Sequence, residues 1–311
     1  MTLLSLILAL ILEQFRPLNA AKHLHHPLEL IGQFFENRFN DGQAHHGRIA
    51  WCLMVLPPVL LSAVVYFLLF SLHPLAAFAF NVAMLYYTMG FRHVSHFFTH
   101  IHAALRAQDL DRARELIAQW RGCHHDLSGT QEITRLTIEQ GLIGAHRQVF
   151  AIIVLFVILP GPSGAVLYRM ADYYAHAWGK RTGPESWDPR GEFGKFATKA
   201  FAFIEWLPAR VTAMAFGIVG DFEDAVYCWR MQAPLWADRN EGILLASGAG
   251  ALGVRLGLPI HQSGEIINRP ELGMGDDAEV EYLQSTVGLI RRTLVLNVVV
   301  LALLWITRLA S

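Results

Sequence analysis

Long apolar runs alternate with shorter polar stretches along the chain, and their lengths predict membrane-spanning helices. Residues 50–72 carry no charge over more than the roughly 20 residues that a helix needs to cross a bilayer. Residues 294–306 are flanked by Arg291, Arg292 and Arg308 and are marginally long enough to span. The pattern therefore predicts an all-α, polytopic helical membrane protein.

A third apolar run, residues 74–91, follows the first after a break at His73. Two spans joined so closely must be antiparallel, so residues 16–49 and residues 92–148 lie on the same side of the membrane. Both stretches carry several Lys or Arg residues close to membrane ends, which indicates the cytoplasm. We therefore predict that residues 92–148 form a cytoplasmic helical insertion, in which residues 107–120 make an amphipathic helix.

The apolar segments in the middle of the chain are short or interrupted. Residues 149–159 end at the sequence Pro-Gly-Pro-Ser-Gly, and residues 242–253 are short and rich in small residues. Such segments exist at membrane depth only when they are buried in protein or line an aqueous cavity. We expect four to six crossings, with broken or re-entrant helices, in a single integral membrane domain over residues 1–311.

The composition supports a membrane protein. Hydrophobic residues make up 53% of the chain and charged residues only 16%, whereas a soluble domain carries about 25% charged residues. The formal net charge is −1, so the overall charge gives no reason to expect nucleic acid as a partner. The three cysteines are odd in number and far apart, which argues against a disulfide framework. The expected partner is the lipid bilayer.

Residues 200–219 are apolar except for Glu205, Pro208 and Arg210. A charge at membrane depth costs at least about 2.5 kcal/mol, so it usually faces a partner or an aqueous cavity. Pro208 lacks a backbone donor and frees a carbonyl one turn earlier, which we expect to open the helix beside Arg210. Two interpretations stay open: an anion or substrate site, or a buried ion pair or side chains that snorkel to the interface.

Histidines supply the other candidate ligands. His93, His96 and His100 lie on one predicted helical face and form a candidate site for zinc or a similar metal. His96 and His100 have the i, i+4 spacing typical of paired ligands, whereas His93 lies too far along the helix for an unstrained third ligand. The alternative is that these histidines bind no metal and lie at the membrane interface, partly exposed to water. Cys123 and His125 are expected to be solvated loop residues.

Three separated motifs resemble the CobD/CbiB family, the membrane-bound adenosylcobinamide-phosphate synthases of cobalamin assembly. The stretch HPLELIGQFFENRFN at residues 26–40 resembles the family's His-Pro-x-x-x-Ile-Gly signature. EWLPARVTA at residues 205–213 is similar to its Asn-Trp-Ile-Pro-Ala-Arg-Leu-Thr-Ala segment, and GALGVRLG at residues 250–257 to its Gly-Ala-Leu-Gly-Val-Arg-Leu-Gly segment.

The resemblance implies an ATP-dependent, amide-forming ligase in the bacterial inner membrane with several crossings. Its expected reaction joins adenosylcobyric acid to an aminopropanol or its phosphate, with ATP and a divalent metal as cofactors and a corrinoid or another anionic small molecule as partner. His26, Glu205, Arg210 and Arg255 are the residues that would line the anion site.

The chain departs from the family where acidic residues are expected. The family's Asp-Asp pair is replaced by Phe201 and Ala202, and its Asn-Thr-Leu-Asp-Ser-Met segment by one that begins with Asp172. Its acidic Glu-Ser-x-Ala-Glu-Asn-x-x-Asp-Gly region corresponds to residues 138–148, where only Glu139 remains. A phenylalanine cannot coordinate a cation, so these departures argue against catalysis by the family mechanism.

A second resemblance is to AmpE, a membrane protein associated with control of β-lactamase expression and a distant member of the same superfamily. It rests on the N-terminal sequence MTLLSLILALILEQF, on the spacing from GLIGAHRQ to PGPSG, and on the tail LIRRTLVLNVVVLALLW. AmpE also lacks the acidic set. This resemblance implies the alternative function, that of a noncatalytic regulatory or signalling membrane protein.

Overall fold

A computed structural model describes residues 2–15, 32, 44–123, 125, 127–179 and 191–310. In chain order the helices are α1 (Thr2–Phe15), α2 (Ala44–Leu72), α3 (Pro74–Thr88), α4 (Phe91–Arg106), α5 (Leu110–Arg121), α6 (Thr130–Ala145), α7 (Ala151–Ile158), α8 (Ser163–Gly179), α9 (Gly191–Val219), α10 (Phe222–Met231), α11 (Arg239–Leu252) and α12 (Glu281–Ala310). A π-helix, His146–Phe150, joins α6 to α7, and a short 3₁₀ helix, Ala233–Leu235, precedes α11.

Within these residues, four helical stretches are long and apolar enough to cross a bilayer. They are His45–Leu72, Thr130–Ile158, Phe193–Val219 and Glu281–Thr307. The exposed large apolar side chains on the first and last of them are those expected to face lipid. They include Leu60, Leu61, Phe67, Leu68, Val295, Val299, Leu303 and Leu304. The predicted all-α membrane fold is confirmed.

The described residues form two compact units, and each unit combines two stretches of the chain. The first unit contains Met1–Gly90 and Ala151–Pro208. The second contains Phe91–Phe150 and Ala209–Ser311. The predicted single membrane domain over residues 1–311 stays a prediction.

In the first unit, α2 and α3 pack against each other after a sharp break. The Nδ1 atom of His73 accepts a hydrogen bond from the backbone N–H of Leu75 at 3.2 Å, and Pro74 takes the first helical position, where no backbone donor is needed. Helix α3 has 15 residues, fewer than the roughly 20 that a full crossing needs. The third apolar run therefore gives a shorter helix than the sequence predicts.

Two expected helix breaks have different outcomes. The Pro-Gly-Pro-Ser-Gly sequence separates α7 from α8, and the hydroxyl of Ser163 donates to the carbonyl of Pro160 at 2.7 Å in this connection. Pro208, by contrast, lies inside α9, which continues through it without interruption. The expected opening of the helix at Pro208 is therefore wrong. Neighbouring groups in membrane proteins can satisfy the carbonyl that such a proline frees, so a helix can continue. Re-entrant segments stay a prediction.

The second unit contains the predicted amphipathic helix as α5. Asp109 caps it by accepting from the backbone N–H of Arg112 at 3.0 Å, and Ala113, Leu116 and Ile117 are buried. Helix α6 also falls within residues 92–148, yet it begins one of the four candidate spans. The side of the membrane on which this stretch lies stays a prediction.

Helix α11 is buried along nearly its whole length and packs against α6 and α10. A Cβ atom at Gly250 would lie 2.5 Å from the carbonyl oxygen of Asp224, and one at Gly248 would lie 2.7 Å from a methyl carbon of Leu142. Larger residues do not fit at these distances. The small residues of this segment therefore serve close helix packing.

Four short strands follow α11, and the sequence analysis did not foresee them. They are β1 (Leu256–Gly257), β2 (Ile260–Gln262), β3 (Glu265–Ile267) and β4 (Glu271–Leu272). β1 pairs with β4 and β2 with β3, both antiparallel. Ser263 and Gly264 connect β2 to β3 with positive φ values of 52° and 85°, which suits a tight hairpin turn.

A buried ion pair ties β1 to α6. The carboxylate of Glu139 on α6 accepts hydrogen bonds from Nη1 and Nη2 of Arg269, at 2.8 and 3.1 Å, and from the backbone N–H of Gly257 at 2.9 Å. The Glu139 and Arg269 side chains are only 3% and 12% exposed. The Arg269 guanidinium also lies 5.2 Å from the ring centroid of Trp236, within the range of a cation–π contact.

A second polar link ties β2 to the start of α6. The Glu132 carboxylate accepts from the backbone N–H of His261 at 2.7 Å and from the hydroxyl of Ser128 at 2.6 Å. The Nδ1 atom of His125 lies 3.0 Å from the carbonyl oxygen of His261. His125 is 1% exposed, so the expectation that it is a solvated loop residue is wrong. Burial also lowers the pKa of His125.

Replacement of Glu139 by Gln should destabilise the protein strongly. The change leaves the Arg269 guanidinium buried without its carboxylate, a loss of about 3 kcal/mol or more in the free energy of unfolding. The matched control is Glu115→Gln, which breaks the exposed Arg112–Glu115 pair and should cost less than about 1 kcal/mol. Thermal unfolding in detergent measures both changes. Equal midpoints for the two variants would contradict a structural role for the buried pair.

The stability of the protein should fall as the pH decreases below the ordinary histidine pKa of about 6.5. The folded state keeps His125 neutral because burial lowers its pKa, whereas the unfolded chain takes up the proton. His125→Gln should make the loss between neutral pH and about pH 5.5 shallower. His100→Gln, which changes an exposed histidine, is the control. A pH dependence that His125→Gln leaves unchanged would contradict the assignment.

Candidate functional site

Glu205 and Arg210 lie on the same helix, α9, but face different directions. Five residues along an α-helix correspond to a rotation of about 140° around its axis. Glu205 is 1% exposed, and one of its carboxylate oxygens accepts a hydrogen bond from the hydroxyl of Tyr168 at 3.1 Å. The Tyr168 ring packs against Phe201 with 5.5 Å between centroids. Glu205 therefore belongs to the interior of the first unit.

Arg169 of α8 is a second buried charge in the first unit. Its Nε atom donates to the carbonyl oxygen of Thr88 at 2.8 Å, and its Nη1 atom lies 3.7 Å from a carboxylate oxygen of Asp172. Thr88 is the last residue of α3, where the helix leaves carbonyl groups without intrahelical donors. Arg169 thus stabilises a helix end.

Arg210 belongs to a polar cluster in the second unit, where α9, the π-helix and the first turn of α11 contribute side chains. We call it the Arg210 cluster. Arg210 Nη1 lies 3.5 Å from the amide oxygen of Asn240, and Arg147 Nη2 donates to the Glu241 carboxylate at 2.9 Å. The members of the Arg210 cluster are His146, Arg147, Arg210, Thr212, Asp238, Arg239, Asn240 and Glu241.

Local structure explains how the π-helix presents its residues. A π-helical turn contains an extra residue and occurs frequently at functional sites. Here it contains His146, which is fully buried and whose Nδ1 atom lies 2.9 Å from the hydroxyl oxygen of Thr212, and Arg147. The π-helix thus directs one imidazole towards α9 and one guanidinium towards α11.

Three guanidinium groups gather in the Arg210 cluster around the first turn of α11, those of Arg147, Arg210 and Arg239, and Arg239 lies near enough to repel Arg210. The carboxylates of the cluster among the described residues are those of Asp238 and Glu241. The Asp238 carboxylate caps α11 by accepting from the backbone N–H groups of Asn240 and Glu241 at 2.8 and 3.1 Å. Guanidinium groups beside a helix N-terminus attract carboxylates and phosphates.

Arg255 lies elsewhere, between acidic side chains. Its Nη2 atom donates to Asp277 at 2.7 Å, and its Nη1 atom lies 3.7 Å from Glu271. An anion would have to displace these carboxylates to reach the guanidinium. The predicted role of Arg255 in anion binding stays a prediction, as does that of His26, which lies outside the described residues.

The histidine face is found on α4, where the exposed rings of His96 and His100 lie 4.3 Å apart between centroids. The side chain of His93 lies outside the part of the chain that is described. Among the described residues, no group of three His, Cys, Asp or Glu side chains converges in the way that a metal site requires. A metal site at His93, His96 and His100 stays a prediction.

The acidic positions do not fit a divalent cation in the described part of the chain. Glu139 is engaged by Arg269, and Asp172 lies 3.2 Å from Nδ1 of His176. Phe201, which replaces one of the expected aspartates, is buried and apolar. Divalent magnesium and calcium need several oxygen ligands, so these side chains supply no metal site.

Several polar residues of the second unit carry no clear signal in the sequence, including Arg147, Asn240 and Arg269. Arg147 lies in a stretch without clear periodicity, and Asn240 looks like an ordinary residue of a helix start. The partners of Arg269 lie 130 residues earlier, at Glu139. A single sequence carries no signal for pairs so distant, but the charges inside apolar stretches did mark candidates.

Comparison with known proteins identifies the family. A family model described as CobD/Cbib protein matches residues 6–290. A cobalamin biosynthesis protein CobD of Stutzerimonas stutzeri is 33% identical over 273 residues, which cover 85% of this chain and 86% of that protein. One of Chromobacterium violaceum is 35% identical over 221 residues, covering 70% and 68%. No solved structure matches the chain. The resemblance indicated by the sequence motifs is thus confirmed, and the chain belongs to the CobD/CbiB family.

Proposed function

We propose that the protein acts in cobalamin biosynthesis as a multi-pass protein of the bacterial inner membrane, and that the Arg210 cluster binds the anionic part of its substrate. The observation that carries this proposal is that three guanidinium groups, those of Arg147, Arg210 and Arg239, gather around the first turn of α11. The names of the bacterial relatives support the pathway. The four apolar helical stretches support a membrane location.

We further propose that the protein catalyses the reaction that the family resemblance implies. This reaction is amide formation between adenosylcobyric acid and an aminopropanol or its phosphate. The carboxylate, the phosphate and a driving nucleotide are all anions. A guanidinium binds such groups through two parallel N–H donors, and burial makes each of these hydrogen bonds stronger. Arg147, Arg210 and Arg239 would hold and orient the acid while Asn240 fixes the Arg210 side chain.

The described side chains support no step that runs through a divalent metal. ATP supplies the driving force for amide formation when the carboxyl oxygen leaves with a phosphoryl group. The role of this chain's own residues is to neutralise the anions, align the carboxylate with the amine and exclude water.

A second candidate is the noncatalytic regulatory or signalling function of the AmpE type. One observation favours it. Glu139 is the one acidic residue that remains in the expected acidic region, and its charge is neutralised by Arg269 in a contact that holds β1 against α6. In this alternative the Arg210 cluster would bind the same class of anion without turnover.

Complementation distinguishes these two functions. The gene should restore growth of a bacterial strain that lacks its cobinamide-forming synthase, on medium without cobinamide. Such growth would exclude the noncatalytic alternative. Absence of growth, with a normal amount of the protein in the membrane, would contradict the synthase function.

Arg210→Ala should weaken anion binding more than Arg255→Lys does. Loss of a charge-assisted hydrogen bond costs about 1.5–3 kcal/mol, or at least about tenfold in affinity, whereas Arg255→Lys keeps a positive charge between Asp277 and Glu271. The measurement is the thermal stabilisation of the detergent-solubilised protein by adenosylcobyric acid, which needs no turnover. Arg112→Ala, an exposed arginine of α5, is the matched control. Unchanged stabilisation and membrane abundance in Arg210→Ala would show that this side chain binds no anion.

A further inference from the structure

The thiol of Cys123 and the imidazole of His125 lie next to each other just after α5. The distance between Sγ of Cys123 and Nε2 of His125 is 3.4 Å, within hydrogen-bonding range for sulfur. Cys123 is half-buried, while His125 is almost fully buried. The pair is separate from the Arg210 cluster in its residues and in its contacts.

The environment of His125 selects the tautomer that can act as a base. Its Nδ1 atom faces the carbonyl oxygen of His261 at 3.0 Å, and a carbonyl only accepts hydrogen bonds. Nδ1 therefore carries the proton, and Nε2 presents its lone pair to the thiol of Cys123. Burial lowers the pKa of His125, so the ring is neutral near neutral pH but is a weaker base than a free imidazole, and its action on the thiol rests on the short distance between Nε2 and Sγ. Cys123 is thus a nucleophile beside a base, His125, which the carbonyl of His261 orients. This is the arrangement that activates catalytic cysteines.

A cavity of about 480 Å³ opens at the same thiol. Its walls include the charged side chains of Asp111, Arg114 and Glu115, together with Gln119 and Cys123. Arg114 is fixed there, since its Nε atom donates to the carbonyl of Ser128 and its Nη1 atom pairs with Asp111. A cavity with both signs of charge suits a zwitterionic ligand of peptide size.

We propose that Cys123 and His125 form a reactive thiol site that takes a small, zwitterionic disulfide such as glutathione disulfide from the cavity and forms a mixed disulfide. Arg114 binds a carboxylate of that ligand, while Asp111, whose exposed carboxylate also pairs with Arg114, faces its ammonium group. This site is independent of the proposed role in cobalamin biosynthesis. Nothing in the family resemblance assigned a role to Cys123.

The chemical step is a thiol–disulfide exchange. Nε2 of His125 takes the proton of the Cys123 thiol, and the sulfur attacks one sulfur atom of the ligand's disulfide. A bond forms between Cys123 and that sulfur, and the disulfide bond of the ligand breaks. The leaving thiolate takes the proton from His125, so that one small disulfide is reduced and Cys123 is oxidised to a mixed disulfide.

The other two cysteines are internal controls for the experiment. Cys52 lies within α2, in a candidate span. Cys228 of α10 is fully buried, and burial raises the pKa of its thiol to about 11. The full-length protein in detergent is treated with glutathione disulfide near neutral pH, and peptide mass spectrometry follows the adduct at each cysteine. We expect Cys123 to react at least about tenfold faster than Cys228 or Cys52. Equal rates at the three cysteines would overturn the proposal without any variant.

Two variants test the parts of the site. His125→Gln should slow modification of Cys123 by at least about tenfold with both glutathione disulfide and iodoacetamide, because it removes the base. Arg114→Gln should raise the half-saturating concentration of glutathione disulfide severalfold and leave the rate with iodoacetamide, which is small and neutral, unchanged. An unchanged rate in His125→Gln, or equal effects of Arg114→Gln on the two reagents, would overturn the proposal.

Discussion

The buried ion pair between Glu139 and Arg269 is the interaction on which the second unit depends most. It joins a helix to a strand that lies more than one hundred residues later, and it also satisfies the backbone donor of Gly257. Two opposite charges that leave water together need good geometry and extra hydrogen bonds, and this pair has both. The ion pair acts together with the buried apolar side chains of Leu256, Ile260 and Leu272, which hold the short strands after α11 in position.

The same interaction occupies Glu139, the one carboxylate that remains of the acidic region implied by the family resemblance. A carboxylate that accepts three hydrogen bonds from an arginine and a backbone amide has little capacity left for a cation. The Arg210 cluster differs from this pair, since three guanidinium groups from two helices and the π-helix gather at the first turn of α11.

The sequence predicted features that depend on composition and local chemistry. The apolar runs predicted the spanning helices, the break after residue 72 predicted the separation of α2 from α3, and the ordered motifs identified the family. Features that depend on tertiary contacts were missed or misjudged. Pro208 was expected to open α9, but membrane helices can continue through a proline when neighbouring groups satisfy the freed carbonyl.

For the candidate site, local reasoning selected Arg210 but not its surroundings. The charges of Glu205 and Arg210 inside an apolar run marked them as candidates, yet gave no sign that one contacts Tyr168 and the other Asn240. His125 lies in a loop as expected but is buried, and its partner, the carbonyl of His261, is remote in the sequence. Every residue has a backbone carbonyl group, so residue types do not indicate which carbonyl accepts a hydrogen bond from a distant side chain. Contacts of this kind therefore cannot be predicted from a single sequence.

The lengths of the long helices have a consequence for the division between lipid and water. The four apolar stretches contain 27 to 29 residues. At about 1.5 Å per residue each is roughly 40 Å long, whereas the hydrocarbon core is about 30 Å thick. A strongly tilted helix would fit within the core, whereas an upright one would extend about two turns beyond it. Turns that extend so far would hold their side chains rigidly at the membrane surface instead of in the hydrocarbon.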